Sequence, residues 1–378
     1  MGRPTPLNRK VSPTFSSSSS SSLGKATSHT SISLTEEDAS WIVERTQLRI
    51  SQVLAKSAYV QKNCKIDNVP RFSHGDIVVG DQIAQGGFSI VQEISGFNVE
   101  TELQGKHLVV KHLNPKLAEC ARKLAVGAKD LVMESHFLSS LDHPNIIKLR
   151  GMSSAGVAGY AETGRADGFF LVFDELECTL SQRLSQWRKT EEKNSAKSPL
   201  FRFGKGAKSP CTFQERLQVA YQIANAVAYL HENGILYRDL KPGNVGFDEK
   251  GNLQIFDFGL AVELPHSDDP NELYNLAGNT GTARYMASEV IKNKPYNFKA
   301  DVFSFSTLLW EILALKKPFA ELSGKEVKEW VADFGNRPPI QRTWPKAIRT
   351  LMKNSWSDDP EERPTMAAVR DTLASLLK

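Results

Sequence analysis

The spacing of apolar and polar positions changes character several times along the chain. Thr35 followed by Glu36, Glu37 and Asp38 has the marks of a helix start: a capping hydroxyl, then acids that favour the positive end of the helix dipole. Val43, Ile50, Val53 and Leu54 then fall on one helical face, so residues 35 to about 60 are predicted to form a helix that docks on the domain behind it. From about Gly75 the pattern becomes short apolar runs. Ile77-Val78-Val79, Ser89-Ile90-Val91, Leu108-Val109-Val110 and Phe169 to Phe173 are predicted strands, with one helix from Asp130 to Leu141 among them. Beyond Leu180 helical periodicity dominates. Thr212-Phe213-Gln214-Glu215 is a capping box opening a helix that runs to His231, and Ala300 to Leu315 is so evenly apolar that it predicts a buried central helix.

Three segments break this plan. Residues 1–34 hold seven consecutive serines (Ser16 to Ser22), four Lys or Arg and no acid, a composition too poor in large apolar groups to offset the entropy of ordering. They are expected to form a disordered tail, with Thr5-Pro6 and Ser12-Pro13 as candidate phosphorylation sites; an organelle transit peptide is the less favoured reading. Residues 153–167 are small and Gly-rich. Residues 187–211 carry seven Lys or Arg against two Glu, and are expected to be a basic flexible loop, with an acidic docking partner as the functional alternative to a solvated loop.

Composition narrows the classes. The 378 residues are 40% hydrophobic, enough for a sizeable core, and 47 basic against 43 acidic side chains leave a net charge of only +4, which argues against a general nucleic-acid or membrane binder. Cys64, Cys120, Cys178 and Cys211 lie far apart without zinc-finger spacing and are expected to be reduced thiols, which points to the cytoplasm or nucleus. No apolar run approaches the roughly twenty residues that span a bilayer.

Charge in apolar surroundings marks the candidate chemistry. In Ile235-Leu236-Tyr237-Arg238-Asp239-Leu240-Lys241-Pro242-Gly243-Asn244-Val245-Gly246-Phe247, four polar or charged residues stand between apolar runs. Glu134 falls in the middle of the apolar stripe Leu131, Leu138, Leu141, where a buried carboxylate requires a partner, and Lys111 at the end of an apolar strand is the candidate. Ile83-Ala84-Gln85-Gly86-Gly87-Phe88-Ser89-Ile90-Val91 is a flexible turn between strands whose backbone N–H groups can approach phosphate oxygens. Ile255-Phe256-Asp257-Phe258-Gly259 sets an acid just after a strand, aimed as a metal ligand would be.

Taken in order, these motifs resemble the eukaryotic protein kinase family, and the resemblance covers residues from about 75 to 376. It extends to Gly281-Thr282-Ala283-Arg284-Tyr285-Met286-Ala287-Ser288-Glu289, to Asp301, and to Arg363, which in the family pairs with the glutamate matching Glu289. The fold it implies is α+β and bilobal: an extension over 35–68, a strand-rich lobe over about 75–173, a hinge at 174–176 and a mainly helical lobe over 177–376. The function it implies is transfer of the γ-phosphoryl group of ATP to a protein hydroxyl. Lys111, held by Glu134, is then expected to grip the α- and β-phosphates, and Asp257 and Asn244 to hold magnesium. Asp239 is expected to orient and deprotonate the acceptor, and Lys241 to stabilise the charge on the group in transit. Phe173 matches the gatekeeper, and the backbone from Asp174 to Leu176 is expected to bind adenine. Lys241-Pro242-Gly243-Asn244 and Thr282 look like the serine/threonine branch, and Ser304-Phe305-Ser306 with Trp310 to Leu313 look like its tyrosine-kinase-like group. A pseudokinase scaffold and a dual-specificity kinase are the alternatives.

The departures carry expectations too. Ala84 and Ser89 replace two glycines of the phosphate turn, Val109 adds bulk above adenine, and Ser288 replaces a proline. Tyr237 stands in place of histidine, expected to be neutral and to stack under Phe258 in a column through Leu138 and Leu149. Gly246 replaces a large aliphatic, expected to leave a roomier adenine floor that Gly246→Leu would fill. Arg238 is expected to need an anion, a phosphate on Thr280 first, with Ser267 and Tyr274 as others.

Overall fold

A computed structural model of the protein describes residues 33–196, 211–269 and 271–378. The serine run, Thr5, Ser12, Ser198 and Ser209 therefore lie outside the described residues. The first lobe is built on β1 (Arg71–Phe72), β2 (Ile77–Gln85), β3 (Ser89–Phe97), β4 (Leu108–Leu113), β5 (Leu149–Ser153) and β6 (Phe170–Asp174). They form one sheet in the order β1-β5-β6-β4-β3-β2, with β1 parallel to β5 and the other pairs antiparallel. Strand alternation decides what β4 does. Leu108 and Val110 enter a small core with Phe72, Ile94 and Val172, whereas Val109 and Leu113 join the main core on the opposite face, the face that also carries Lys111.

Helices α1 (Glu36–Leu54) and α2 (Ala58–Asn63) precede the sheet, and α3 (Ala121–Ser140) covers its main-core face. Thr35 caps α1 as expected, through its hydroxyl and the Asp38 amide. The most buried positions of α1 are Ala39, Ile42, Thr46 and Ile50, with the predicted Val43, Val53 and Leu54 packed half-buried against the same core, and the helix ends at Leu54 instead of running on to 60. Helix α3 starts nine residues before the predicted Asp130: Leu124, Ala125 and Ala128 continue its buried face, with Gly127 in its middle where Leu113 and Phe88 pack close. The Gly-rich stretch contains α4 (Gly159–Thr163), with Tyr160 fully buried.

The second lobe contains β7 (Cys178–Thr179), α5 (Leu180–Ala196), α6 (Phe213–Glu232), β8 (Ile235–Leu236), β9 (Val245–Phe247), β10 (Leu253–Ile255), β11 (Val262–Glu263), α7 (Ser288–Ile291) and α8 (Lys299–Ala314). Helices α9 (Gly324–Ala332), α10 (Lys346–Ser355) and α11 (Met366–Leu377) complete it. The capping box at Thr212 forms, and α8 is buried along nearly its whole length. The basic stretch differs from expectation: its first part, through Ala196, is the end of α5, where Arg188 pairs with the buried Glu311 at 2.6 Å. A salt bridge to an internal carboxylate gives this segment a structural anchor that its charge pattern concealed.

Ser288 does more than replace a proline. Its hydroxyl donates to Asp358, which Arg337 also holds, so a hydrogen bond supplies the anchoring that a fixed φ would have given. Beside it Arg363, with no side-chain exposure, forms a bidentate pair with Glu289 at 2.6 and 2.9 Å and donates further to the carbonyls of Lys299 and Ser357. Arg363→Ala leaves a buried carboxylate alone and is expected to cost about 3–5 kcal/mol in urea unfolding, against about 1 kcal/mol for Ser288→Ala.

Candidate functional site

Lys111 connects three elements. Its ammonium lies 2.7 Å from Glu134 on α3 and 2.9 Å from Asp257 in the loop after β10, and the other Glu134 oxygen accepts the Phe258 amide at 3.3 Å. Burial disfavours the ammonium, but the Asp257 and Glu134 carboxylates outweigh it and raise the Lys111 pKa above that of an ordinary lysine. Lys111 in turn holds the Asp257 carboxyl below the usual range, whereas burial pushes Glu134 up. Asp257 thus stays ionised at neutral pH with one oxygen on Lys111, an all-oxygen donor suited to a hard cation.

The stretch from Ile235 to Phe247 closes the other side. Buried Asp301 at the start of α8 accepts the amides of Tyr237 and Arg238 at 2.8 and 2.9 Å, and His231 donates to it. That grip holds Arg238 at φ 70°, and Asp257 has φ 69°, both in the region L-residues avoid and tolerate where their surroundings over-determine them. Asp239 collects four contacts. Lys241 lies 2.6 Å from its Oδ2, the Asn244 amide donates to that oxygen and to the Asp239 carbonyl, and the Thr282 hydroxyl donates to Oδ1 at 2.8 Å.

Between the lobes runs a cleft of about 200 Å³ lined by Ile83, Ala84, Val91, Val109, Lys111, Phe173, Asp174, Leu176 and Phe256, and it ends on Glu134 and Asp257. An adjoining cavity has Gly86, Gly87, Phe88 and Ser89 above Asp239, Lys241 and Asp257. At the hinge, the Glu175 and Glu177 amides are bonded to the carbonyls of His107 and Phe247. The Leu176 amide lies between these two and makes no backbone hydrogen bond among the described residues, so it remains available for a planar base. The motifs thus converge, with exceptions. Gln85 lines neither cavity; it is exposed, and its side chain meets Gln82 at 3.4 Å.

Two expectations need correction and one an addition. Gly246 leaves no roomier floor: a Cβ there would come 2.6 Å from Leu176 Cδ1, 3.2 Å from Phe256 and 3.3 Å from the Cys178 carbonyl, so those groups already fill the space. Tyr237 meets Phe258 as expected and makes one contact more. Its ring meets Phe258 edge-on at 5.2 Å, and its hydroxyl also donates to the Phe256 carbonyl, just ahead of Asp257. Arg238 is not short of partners either, because its guanidinium donates to the Leu260 carbonyl and the Tyr296 hydroxyl.

Sequence reasoning missed Arg150, whose guanidinium grips Asp174 at the head of the hinge in a two-nitrogen contact at 2.7–3.0 Å. It also missed Ile147, Cys178 and Gln182 as lining residues. Nothing in their spacing marks them, since each reaches the cleft only through the fold.

Comparison with known proteins agrees with this geometry. The family model for protein tyrosine and serine/threonine kinases matches residues 77–373, and the chain belongs to that family. Mitogen-activated protein kinase kinase kinase 7 of Mus musculus is 27% identical over 327 residues, covering 85% of this chain and 47% of that protein. Serine/threonine-protein kinase STY17 of Arabidopsis thaliana is 35% identical over 44% of this chain and 28% of its own length. Dual specificity protein kinase shkB of Dictyostelium discoideum is 34% identical over 51% of this chain and 29% of its own. The chain spans about half the length of the first of these relatives, or less of the others, and their mixture of specificities fits the tyrosine-kinase-like group. Among the described residues no helix is long and apolar enough to cross a membrane.

The packing around Gly246 reverses the sign of one expectation. Gly246→Leu overpacks the floor and is expected to weaken nucleotide binding and cost about 1–3 kcal/mol of stability. Nucleotide titration and thermal unfolding of the variant check both.

Proposed function

We propose that this protein is an ATP-dependent serine/threonine protein kinase that moves the γ-phosphoryl group of Mg-ATP to a hydroxyl of a protein substrate. One observation carries the reading: Lys111, Glu134 and Asp257 form a linked ionic group that lines one cavity with Asp239 and Lys241, with the buried Asn244 amide on Asp239 behind them. Apolar residues from Ile83 to Phe256 would enclose adenine, with the Leu176 amide as donor, and Lys111 would bind the α- and β-phosphates. Asp257 and Asn244 would hold magnesium, which when bound neutralises charge on the phosphate oxygens. Asp239 holds the acceptor hydroxyl and takes its proton. Lys241, already on the Asp239 carboxylate, is placed to balance charge near the transferring group. The Thr282 hydroxyl on the free edge of Asp239 supports the serine/threonine branch. Dual specificity is the second reading, favoured by the relative from Dictyostelium discoideum. The four cysteines are all free, in keeping with a reducing cytoplasm.

The activation segment, Asp257 to Glu289, is the proposed point of control. The half-buried Thr280 hydroxyl donates to the Ala277 carbonyl, which also accepts the Tyr296 hydroxyl, and that hydroxyl contacts Arg238. A phosphate on Thr280 would enter a short chain of polar contacts ending on a guanidinium.

Labelled ATP with a protein or peptide-library acceptor tests the proposal. Wild type is expected to yield phosphoserine and phosphothreonine, Asp257→Ala to lose at least a hundredfold in kcat, and phosphatase treatment to lower turnover at least tenfold in wild type but not in Thr280→Ala. Absence of transfer by phosphorylated wild type with magnesium would end the enzyme reading. Phosphotyrosine among the products would establish dual specificity, and equal turnover after phosphatase would remove the proposed control.

A further inference from the structure

Glu263 stands where the extension, the helix of Glu134 and the catalytic loop come together. Its backbone belongs to β11 and pairs with Ile235 of β8, two residues ahead of Tyr237. Its carboxylate receives the Tyr59 amide at 2.7 Å on one oxygen and the Val60 amide at 3.3 Å on the other. These amides belong to the first turn of α2, where N–H groups have no partner within the helix. The turn has no side-chain cap of its own, because the Ser57 hydroxyl is turned back onto the Val53 carbonyl. The cap is supplied instead by a residue 204 positions further along the chain.

Tyr59 also reaches the other way. Its hydroxyl donates to the Ser140 carbonyl at the last residue of α3 and lies 3.4 Å from the Tyr229 hydroxyl of α6, which accepts the Asp142 amide. Close by, the Lys65 amide donates to the Ser139 carbonyl, and Val60 is buried in the main core with Ile42 and Ile50. Ser140 is six residues beyond Glu134, about 9 Å along the same continuous helix. Whatever fixes that end of α3 also fixes the carboxylate that holds Lys111.

We propose that Glu263 is a positioning residue for phosphoryl transfer: through α2 it pins the end of α3 to the catalytic lobe, so the chain's own extension supports the Lys111–Glu134 pair. The proposal rests on the kinase reading above. Without the carboxylate, two amides lose their acceptor, the first turn of α2 frays, and α3 spends less time in the aligned position, which lowers turnover in proportion to the aligned fraction.

Glu263→Ala, Glu263→Gln and Tyr59→Phe, each in the full chain, test this. Hydrogen exchange at residues 131–140 of α3 is expected to quicken at least tenfold in Glu263→Ala, with exchange in α8 unchanged and kcat down about tenfold. Glu263→Gln keeps a carbonyl acceptor and is expected to restore kcat to within about threefold of wild type, while Tyr59→Phe gives a smaller loss in the same direction. Wild-type exchange in α3, or a fall in kcat without it, would overturn the proposal, as would a glutamine variant as slow as the alanine one. If wild type itself transfers no phosphate, the kinase reading fails, but the α3 exchange comparison still decides whether Glu263 pins the helix.

Discussion

A lysine ammonium between two carboxylates, one of them buried, is the constraint on which the rest of the molecule depends. Lys111 comes from the sheet, Glu134 from α3 and Asp257 from the loop after β10. Three elements with separate packing must therefore meet to within a hydrogen-bond length, because the buried Glu134 carboxylate and Lys111 ammonium, left alone, would each pay a desolvation cost of several kcal/mol. The strand alternation of β4, the apolar stripe around Glu134 and the left-handed backbone at Asp257 all serve this meeting. It is also a meeting that can be undone, since any shift of α3 separates the pair.

The second lobe solves a related problem by different means. Asp239 must remain an acceptor while surrounded by donors, and the structure divides its two oxygens between Lys241 with Asn244 on one and Thr282 on the other. The loop that carries it is suspended from Asp301, a buried carboxylate satisfied by two amides and a histidine. Polar groups here hold backbone in place, and the side chains of Asp239 and Lys241 inherit their positions from it.

Much of this was legible because charge in apolar surroundings is rare. Glu134 inside a hydrophobic stripe, Lys111 at the end of an apolar strand and the capping box at Thr212 each signal locally, and the structure places each in the expected element. What stayed hidden depended on neighbours distant in sequence. Gly246 suggested empty space because the side chains that fill it, Leu176 and Phe256, come from the hinge and from beyond β10. The end of α5 resembles a loop because its lysines and arginines outweigh the contacts that tie it down, Trp187 on the main core and Arg188 with Glu311. The cap that Glu263 gives α2 spans both lobes and leaves no mark on either segment.

The filled floor under the cleft has a thermodynamic meaning. Phe256 lines the slot for the base, and the next residue, Asp257, is the candidate metal ligand, so both sites share one peptide unit. A ligand that favours one position of that unit must favour it for the other site as well. Where a base and an ion both shift that unit between two positions, reciprocity requires each to change the other's affinity by the same factor.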